Sequence, residues 1–475
     1  AFEVMKYDYE DLYAAKKTYG QDINTSLGNA ADPIDADQKL QEDALMSYVA
    51  SVNYSYGDKY YASFSFRRDG SSRLSPDTRW GNFWSLSASW RLSQEKFMQS
   101  LKSVLSDLKL RASYGVNGNL PSSYYGYQST YTTGAFYNGK PSPWESTLGN
   151  EELTWEKNYA LNLGLDIGLF SRVNVSLDWY TRTTKDLLMS KQLNSISGFS
   201  SLLTNVGQMR NTGVELEVRS NNIKTKDFSW TTAFNLSHNK NKILKLADLP
   251  WFVDGRYVRK EGYPFNTIYL REYAGVDPET GSALYYDNQQ DENGNYTKNK
   301  VTDPGQASPI PLKDITPTIS GGFMNTFNYK FIDLSFNLSY SFGGYSYDNA
   351  SYILQDDGYS VISNKSTEQR RRWQKPGDIT DVPRFVYGNK KGGNYNSSRA
   401  IHSTDHIRLK SLILGLNAPK AWLQKLGIGN ARIYFSGTNL LTWAAYGQYD
   451  PEMSGVVGFY TPPLKTYAFG LELKF

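Results

Sequence analysis

Runs in which apolar and polar residues strictly alternate recur along the whole chain, for example WGNFWSLSASWRL, DLKLRASYGVN and FIDLSFNLSYSF. Because successive side chains of a β-strand point to opposite faces, each run has one apolar and one polar face. The runs are about 9 to 12 residues long, whereas globular strands are most often about 5 to 6. A tilted strand needs about 9 to 11 residues to cross a bilayer. The alternation therefore predicts membrane-spanning strands whose apolar face contacts lipid.

The connections between these runs alternate in length along the chain. Short connections lie at Gly57-Asp58, Ser171-Arg172, 221–227 and Lys330, and medium ones at 93–106 and 418–430. Long polar connections are 69–79, 118–154, 184–211, 239–317, 343–404 and 440–465. Outer-membrane β-barrels have short periplasmic turns and long loops outside the cell. The long connections are therefore predicted to be extracellular loops.

Runs and connections together predict an all-β fold, a transmembrane antiparallel β-barrel with about 13 or 14 strands in this chain. Strands are expected near residues 45, 60, 80, 108, 155, 173, 212, 228, 318, 331, 405, 431 and 466, with one more before residue 30. No apolar stretch reaches the length of about 18 residues that a transmembrane helix requires.

The composition fits such a barrel and argues against other classes. Only 39% of the 475 residues are hydrophobic, yet 15% are aromatic, a combination typical of an apolar band flanked by aromatic girdles. The formal net charge is +4 and the only run of like charges is Arg370-Arg371-Arg372, so no nucleic-acid partner is predicted. The chain has no cysteine, which excludes disulfides, thiolate metal sites and cysteine nucleophiles.

Candidate metal sites are weak. His402 and His406 have an i, i+4 spacing, but they precede a strand and lack the glutamate of HExxH. DNQQDENGNYTKNK resembles an EF-hand loop, but with Gly294 at position six the first and last ligands would be Gln289 and Lys300. An Asn-Gly hairpin turn explains that segment better. We expect neither a metal nor a cofactor.

Candidate catalytic groups are equally weak. The sequence contains neither GxxxxGK[ST] nor GxSxG. The adjacent carboxylates Asp356 and Asp357 could in principle serve a glycosidase, but neighbours in an extended loop diverge. We therefore expect both carboxylates to lie in a solvated loop, and we expect no enzymatic activity.

Several segments in order resemble the SusC/RagA family of TonB-dependent outer-membrane transporters. They are RRDGSSRLSPDTRWGNFWSLSASWRLSQEKFM, LKLRASYGVNGN, NEELTWEKNYALNLGLDIGLF, TKDLL, NVGQMRNTGVELEV, YAGVDPETG and STDHIRLKSLILGLNAP, followed by the closing alternation to Phe475. The resemblance covers nearly the whole chain.

The resemblance implies a plugged barrel of about 22 strands in the outer membrane of a Gram-negative bacterium. It also implies a SusD-like lipoprotein partner, energisation by TonB, ExbB and ExbD, import of oligosaccharides or peptides, and allows a dimer of transporter–lipoprotein pairs. Nothing in the sequence resembles the plug, the TonB box or the early strands. We therefore expect residues 1–475 to be the C-terminal part of such a barrel.

The end of the chain, TYAFGLELKF, alternates strictly. In this family such a terminal pattern resembles the signal that the barrel-insertion machinery reads. The residues concerned are Tyr467, Phe469, Leu471, Leu473 and Phe475. The alternative is a buried edge strand of a soluble β-sandwich.

Ligand contacts in a transporter should come from loop and lumen groups that stack on or hydrogen-bond a polar ligand. Trp144, Trp251, Tyr359 and Trp373 lie in long predicted outer loops and are candidates, although such aromatics also pack loops together. Charges on the predicted lumen face are expected to brace or hydrate the barrel, or to contact the plug. They are Arg91, Arg111, Asp166, Asp178 and Asp333.

Two other functions remain open from the sequence. One is a structural or adhesive outer-membrane barrel without import. The other is a barrel with a hydrolase site on its loops, which would require catalytic carboxylate or histidine clusters.

Overall fold

The computed structural model describes residues 1–19, 26–27, 30–246, 250–360, 362–389, 396–419, 422–423 and 427–475. Strands dominate these residues. They are β1 (Phe2–Tyr19), β2 (Ala30–Tyr56), β3 (Tyr60–Ser71), β4 (Trp80–Arg91), β5 (Leu105–Asn119), β6 (Thr130–Tyr137), β7 (Lys140–Thr147), β8 (Glu156–Leu169), β9 (Val173–Lys185), β10 (Leu188–Gln192), β11 (Ser201–Asn205), β12 (Gln208–Lys224), β13 (Phe228–Lys245), β14 (Trp251–Asp254), β15 (Tyr257–Lys260), β16 (Thr267–Leu270), β17 (Tyr273–Val276), β18 (Ala283–Tyr286), β19 (Lys300–Val301), β20 (Ile310–Asp314), β21 (Ile319–Tyr329), β22 (Ile332–Phe342), β23 (Tyr345–Asp348), β24 (Ile401–Ser403), β25 (His406–Asn417), β26 (Asn430–Ala444), β27 (Gly455–Val457) and β28 (Thr466–Lys474).

Helices among the described residues are short. Of the α-helices, the structure describes one in full, α1 (Asn349–Leu354). The 3₁₀ turns are Leu92–Gln94, Lys96–Leu101, Ser195–Ser197, Pro304–Gln306, Thr367–Arg371 and Ser398–Ala400. None of the helices in the described part of the chain has the length and apolar character to cross a membrane.

Fourteen strands form one large sheet in the order β1-β2-β3-β4-β5-β8-β9-β12-β13-β21-β22-β25-β26-β28. Apart from the short strands within the long connections, strands that are consecutive in the sequence are also neighbours in the sheet. The pairs β1–β2, β21–β22 and β26–β28 show the antiparallel register. The sheet is therefore an up-and-down meander, and it confirms the predicted antiparallel all-β wall and the upper strand count.

The connections also agree with the sequence-based expectations. Gly57-Asp58, Ser171-Arg172 and Lys330 lie in tight turns, where Gly57, Asp58, Ser171 and Lys330 have positive φ. All six long connections lie between consecutive strands of the large sheet.

The first hairpin is longer than predicted. β1 has 18 residues and β2 has 27, and β2 begins at Ala30 rather than near residue 45. The added part, AADPIDADQKLQEDA, is mostly polar and exposed, so it lacks the alternation that marks a membrane-spanning strand. A register shift between Ala15 and Lys16, opposite Pro33 and Asp35, interrupts the pairing. Proline cannot donate to a strand ladder, which explains the irregularity at this point.

The large sheet exposes its apolar side chains. In β4, Leu86 is 53% exposed, whereas its neighbour Ser87 is half-buried. In β28 the alternating large residues from Tyr467 onward are all exposed, and Phe469 reaches 81%. This arrangement is the reverse of a soluble sheet, in which large apolar groups face a core. The expected apolar face is therefore present on the outside of the wall.

The chain divides into two compact units, and each is described by itself. The first comprises residues 1–90, 111–162 and 182–209. Its core cluster is Leu74, Phe83, Val116, Leu153 and Trp155, with the Phe83 and Trp155 rings 5.1 Å apart in an edge-on arrangement. The Trp155 indole Nε1 donates to the carbonyl oxygen of Arg79 at 2.8 Å. These contacts fold the connection between β3 and β4 onto the ends of neighbouring strands.

The second unit comprises residues 91–110, 163–181 and 210–475. Its long connections form three small sheets of their own: β14-β15-β16-β20, β17-β18-β19 and β24-β23-β27. Two buried clusters stabilise them: Ile268, Leu270, Tyr347 and Ala400 in one, and Ala283, Tyr285 and Ala307 in the other. The loops of this unit are thus folded, with cores like those of soluble proteins.

Candidate functional site

The sheet β24-β23-β27 brings together the two last long connections of the second unit. β23 pairs antiparallel with β24 and parallel with β27. The side chain of Tyr347, in β23, is 1% exposed and packs against Ile268 of the preceding long connection. Three connections that are distant in sequence therefore meet in one layer.

Asp356 and Asp357 lie in this layer, and the expectation of a solvated loop is wrong. Asp356 is 2% exposed and Asp357 is fully buried. The Lys365 Nζ lies 2.6 Å from an Asp356 oxygen, and the Arg399 Nη1 lies 2.5 Å from an Asp357 oxygen. Gln369 donates a further hydrogen bond to Asp357 at 2.9 Å. Buried charges are stable only when they are paired and hydrogen-bonded, and both carboxylates meet that condition.

The same pair influences a neighbouring tyrosine. Burial raises the pKa of the Tyr273 hydroxyl well above its ordinary value, even though the nearby Arg399 charge acts in the opposite direction. The Tyr273 hydroxyl donates to the backbone oxygen of Asp381 at 2.9 Å. This tyrosine is therefore a neutral donor that joins two of the long connections, 239–317 and 343–404.

A second ionic cluster surrounds Arg408, whose side chain is 2% exposed. Its guanidinium lies 2.6 Å from Asp450 and 2.8 Å from Glu452, which also accepts from Lys410 at 2.7 Å. The charge of Asp450 is therefore compensated by a buried arginine. This cluster attaches the connection between β26 and β28 to the adjoining strand β25.

A cavity of about 260 Å³ opens between α1 and the connection that precedes β28. Asp348 lies in its wall as the N-cap of α1, and its carboxylate accepts from the Ser351 N–H at 2.9 Å and from the Tyr446 hydroxyl at 3.2 Å. Aromatic side chains complete much of the remaining lining: Tyr446, Tyr449, Phe459 and Tyr460. The cavity therefore combines a carboxylate with π-faces, a set suited to binding a polar ligand.

His402 stacks on one of these rings. Its imidazole lies parallel to the Tyr446 ring, with centroids 3.7 Å apart. Burial lowers the pKa of His402, and the Asp348 charge opposes that shift. His406 lies elsewhere, with Nδ1 2.7 Å from the Thr404 carbonyl oxygen. The two histidines therefore make separate local contacts.

The four aromatic residues proposed as ligand contacts occupy different positions. Trp144 lies in β7 of the first unit and is 56% exposed. In the second unit, Trp251 begins β14 and lies 6.0 Å from the Tyr269 ring, and Tyr359 is exposed beyond Asp357. Their role as ligand contacts stays a prediction.

Trp373 has a clear packing contact. Its Nε1 donates to the Pro278 carbonyl oxygen at 2.8 Å, and its ring covers Gly281 so closely that a Cβ there would meet it at 2.4 Å. Gly281 also has φ +69°, which favours glycine. The DPETG turn and the segment around Trp373 thus fold against each other.

Sequence reasoning missed Asp348 and the tyrosines of the cavity. The available signal was the density of aromatic residues in the segment TWAAYGQYDPEMSGVVGFY before the last strand. No local pattern indicates that Asp348, about a hundred residues earlier, meets them.

The charges expected on the lumen face are mostly engaged with neighbouring strands. Arg91 donates to Asp107 at 2.9 Å, and Asp333 pairs with Arg432 at 2.7 Å. The Ser176 hydroxyl donates to Asp166 at 2.7 Å and lies 3.5 Å from Asp178. Arg111 borders a groove of about 390 Å³ lined largely by serine, alanine and asparagine side chains. These contacts fit a role in bracing the wall.

The segment around Gly294 forms the expected turn. The Asp291 carboxylate accepts from the backbone N–H groups of Asn293 and Asn295 at 2.9 and 2.8 Å. Gln290 and Tyr296 form an antiparallel bridge. Among the residues that the structure describes, no three His, Asp or Glu side chains are grouped so that they could hold a metal ion.

Known proteins give a consistent comparison. The sequence pattern of the family described as "TonB dependent receptor-like, beta-barrel" matches residues 3–305. A TonB-dependent receptor of Formosa agariphila is 32% identical, with 100% of this chain and 50% of that protein covered. The TonB-dependent receptor SusC of Bacteroides thetaiotaomicron is 30% identical, with 92% of this chain and 45% of that protein covered.

The solved structure of the RagAB peptide transporter superposes on this chain with a TM-score of 0.89 at 30% identity. The match covers 100% of this chain and 52% of the transporter chain. The chain thus spans about half the length of the relatives it matches. Its fourteen-stranded sheet is part of an outer-membrane barrel wall, and the chain belongs to the family of TonB-dependent receptor-like β-barrels.

Proposed function

We propose that this protein is an active importer of a large polar nutrient, an oligosaccharide or a peptide, across the outer membrane. The observation that carries the proposal is the folded loop layer of the second unit, which encloses a polar, aromatic cavity. A chain that served only as a membrane anchor would have no need for buried ion pairs such as Asp357–Arg399 in its loops. The likeness to a peptide transporter over the whole chain supports the same function.

In this proposal the loops and the wall have different tasks. The loops bind the nutrient, since cavities with a few convergent polar groups favour ligand binding. The polar face of the wall, with its serine-lined groove near Arg111, supplies a hydrated path. No bond of the nutrient is broken, and we propose no catalytic role.

The partners are also part of the proposal. The likeness to SusC and to RagAB supports a SusD-like surface lipoprotein that covers the loops, and the family supports energisation by TonB with ExbB and ExbD. A pair of such transporter–lipoprotein complexes would form the dimer that the resemblance allows.

An uptake experiment tests the importer. Cells that lack the gene would be compared with complemented cells for uptake of fluorescent peptides and oligosaccharides, with and without an active TonB system. Uptake that requires both the gene and TonB is expected. Equal uptake in cells without the gene would contradict the proposal and favour a structural or adhesive barrel.

The exposed loop aromatics permit a second test. Alanine at Trp144, Trp251 or Tyr359 should weaken nutrient binding, because the exposed faces of aromatic rings stack on sugars and on side chains. Membrane insertion should remain unchanged. Trp373→Ala is expected to loosen its loop as well, since it packs on Gly281. Unchanged binding in all four variants would exclude these residues as contacts.

A loop-borne hydrolase is the less favoured function. The adjacent carboxylates Asp356 and Asp357 are both engaged in ion pairs, so neither is positioned as a proton donor or a nucleophile. Turnover of a labelled glycan or peptide by the purified protein would favour this function instead.

A further inference from the structure

Asp348 is a buried carboxylate without a cationic partner. It is 3% exposed, and no lysine, arginine or histidine nitrogen of the described residues forms an ion pair with it. Its two hydrogen bonds come from a backbone N–H and the Tyr446 hydroxyl, which are both neutral donors. Buried charges in proteins are normally paired, so a negative charge in this position is available for a ligand.

The remainder of the cavity wall does not supply the missing charge. Its lining contains two carboxylates, Asp348 and Asp450, and no lysine or arginine. Asp450 is already compensated by the buried Arg408. The side-chain amides of the lining, those of Gln355 and Gln448, are neutral. Asp348 is therefore the carboxylate of the lining that no described lysine or arginine neutralises within ion-pair distance.

The aromatic rings reinforce this potential. Tyr446 and Tyr449 lie with their ring centroids 5.2 Å apart, and Phe459 and Tyr460 extend the lining outward. The face of an aromatic ring attracts a cation. Burial raises the pKa of both Tyr446 and Tyr449, and the Asp348 charge adds to the increase for each. Both hydroxyls thus remain neutral beside a carboxylate.

The dimensions suit a single side chain. The volume of about 260 Å³ is below the range of about 300 to 1,000 Å³ that is typical of sites for whole small molecules. Phe459 and Tyr460 are both more than half exposed, so the cavity is open to the outside. A chain end or a side chain can therefore enter while the rest of the ligand stays outside.

We propose that this cavity binds an alkylammonium or guanidinium group of a peptide, with Asp348 as the counter-ion and the tyrosine rings as the cage. The inference rests on the proposed import function and narrows it to peptides that carry a lysine, an arginine or a free amino terminus. A neutral oligosaccharide could stack on the rings and hydrogen-bond Asp348. It would leave the buried negative charge uncompensated, which disfavours it against a cation.

The test uses the protein as its own gene encodes it, purified in detergent micelles. Binding would be measured for the capped peptide acetyl-Ala-Ala-Lys-Ala-Ala-amide and for the same peptide with an acetylated lysine side chain, and for maltohexaose as a neutral glycan. Because charge-assisted contacts are about twice as strong as neutral ones, the lysine peptide should bind about tenfold or more tightly than its acetylated form.

Asp348→Asn is the decisive variant. Asparagine caps a helix as well as aspartate does, so α1 should be retained while the charge is removed. In this variant, the lysine peptide and its acetylated form should bind with nearly equal affinity. The matched control is Glu292→Gln, which removes one charge from an exposed hairpin tip and should keep the wild-type preference. Tyr460→Ala, at an exposed ring, should weaken binding of the lysine peptide without affecting folding.

Each outcome bears on one proposal. Equal binding of the lysine and acetyl-lysine peptides to the wild type would overturn the cation inference, and this comparison requires no variant. Tight binding of maltohexaose with no peptide binding would also overturn it but would leave the importer intact. If none of the three probes binds and uptake is independent of the gene, the proposed import function itself would be contradicted. Wild-type preference in a folded Asp348→Asn protein would exclude Asp348 as the counter-ion.

Discussion

The wall and the loops of the second unit bury opposite kinds of side chain. In the wall, Ile433 of β26 and Phe469 of β28 are 60% and 81% exposed, and the residues that alternate with them along each strand face the other side. In the loops, Ile268 and Tyr347 are both 1% exposed, as in a soluble protein. Lipid solvates the apolar face of the wall, so the strands need no apolar core of their own. The loops are in water and must build one.

The wall and the loops also differ in how far their ion pairs are exposed to solvent. Glu217 and Arg219 of the wall pair while both remain largely exposed. In the loops, the fully buried Asp357 pairs with Arg399, whose side chain is only 13% exposed. An exposed pair contributes little to stability, whereas removing one partner of a buried pair leaves an uncompensated charge. Substitutions can therefore distinguish the two regions by the size of their effects.

The largest effect is expected at the buried loop pair. Arg399→Gln should destabilise the loop layer by about 3 to 5 kcal/mol, because Asp357 would remain buried and charged. Hydrogen exchange of the loop amides would measure this, and exchange in the wall strands should be unchanged. In the double variant Asp357→Asn with Arg399→Gln, the loss should be smaller than the sum of the two single losses. Additive losses would mean that the pair is not coupled.

The next effect concerns the lipid face of the wall. Leu86→Arg should destabilise the folded protein by up to about 2 to 4 kcal/mol, because it places a charge in the hydrocarbon layer. Ser87→Arg is the matched control, since Ser87 borders the polar groove and has room for the side chain. Refolding titrations in lipid vesicles would compare them. Equal losses would show that the exposed face does not contact lipid.

A smaller effect is expected where a loop packs on glycine. Gly281→Ala should cost about 1 to 3 kcal/mol, because its Cβ would overlap the Trp373 ring. Gly294→Ala is the control, since Gly294 also has positive φ but has no atom within 4 Å of the added Cβ. Thermal unfolding followed by tryptophan fluorescence would show the difference. Similar losses in both variants would assign the effect to backbone strain alone.

The loops should also weaken in acid through His402. Its pKa in the folded protein is below the ordinary value of 6.5, so the unfolded chain binds the proton first. Stability is therefore complete above about pH 6.5 and decreases as the pH falls through the folded pKa. His402→Phe keeps a ring against Tyr446 and should flatten this part of the profile. An unchanged slope between about pH 5 and 7 would contradict the assignment.

The smallest effect is expected for an exposed loop pair. Arg371 contacts Glu368 and lies 3.1 Å from Asp381, but its side chain is 58% exposed. Arg371→Gln should change the stability by no more than about 1 kcal/mol. A loss as large as that of Arg399→Gln, in the same hydrogen-exchange measurement, would mean that burial does not control the strength of ion pairs in these loops.

The wall could be predicted from the sequence because its rule is local. Successive side chains of a strand alternate between a face toward lipid and a face toward the polar side of the wall. This alternation can be recognised within each run of about ten residues. This is why WGNFWSLSASWRL and the closing alternation from Tyr467 were assigned to the correct strands. The rule failed for the start of β2, where the strand continues into solvent and no alternation is required.

The loops could not be predicted in the same way because their contacts join distant residues. Asp357 meets Arg399 across 42 residues, and no feature of the Asp356-Asp357 pair indicates that partner. Trp373 could be recognised as an aromatic loop residue, but its packing on Gly281 depends on the fold of another connection. The cavity around Asp348 was missed for the same reason.

The parallel pairing of β23 with β27 has a consequence for the order of assembly. Ser346 and Tyr449, which hydrogen-bond beside this pairing, are 103 residues apart in the chain. Contacts of such separation form late, because the entropy of closing the intervening chain must be lost first. The sheet cannot close until β25 and β26 have been placed. We therefore expect the carboxylate of Asp348 to stay hydrated until β27 pairs with β23, and the cavity beside it to be among the last parts of the molecule to form.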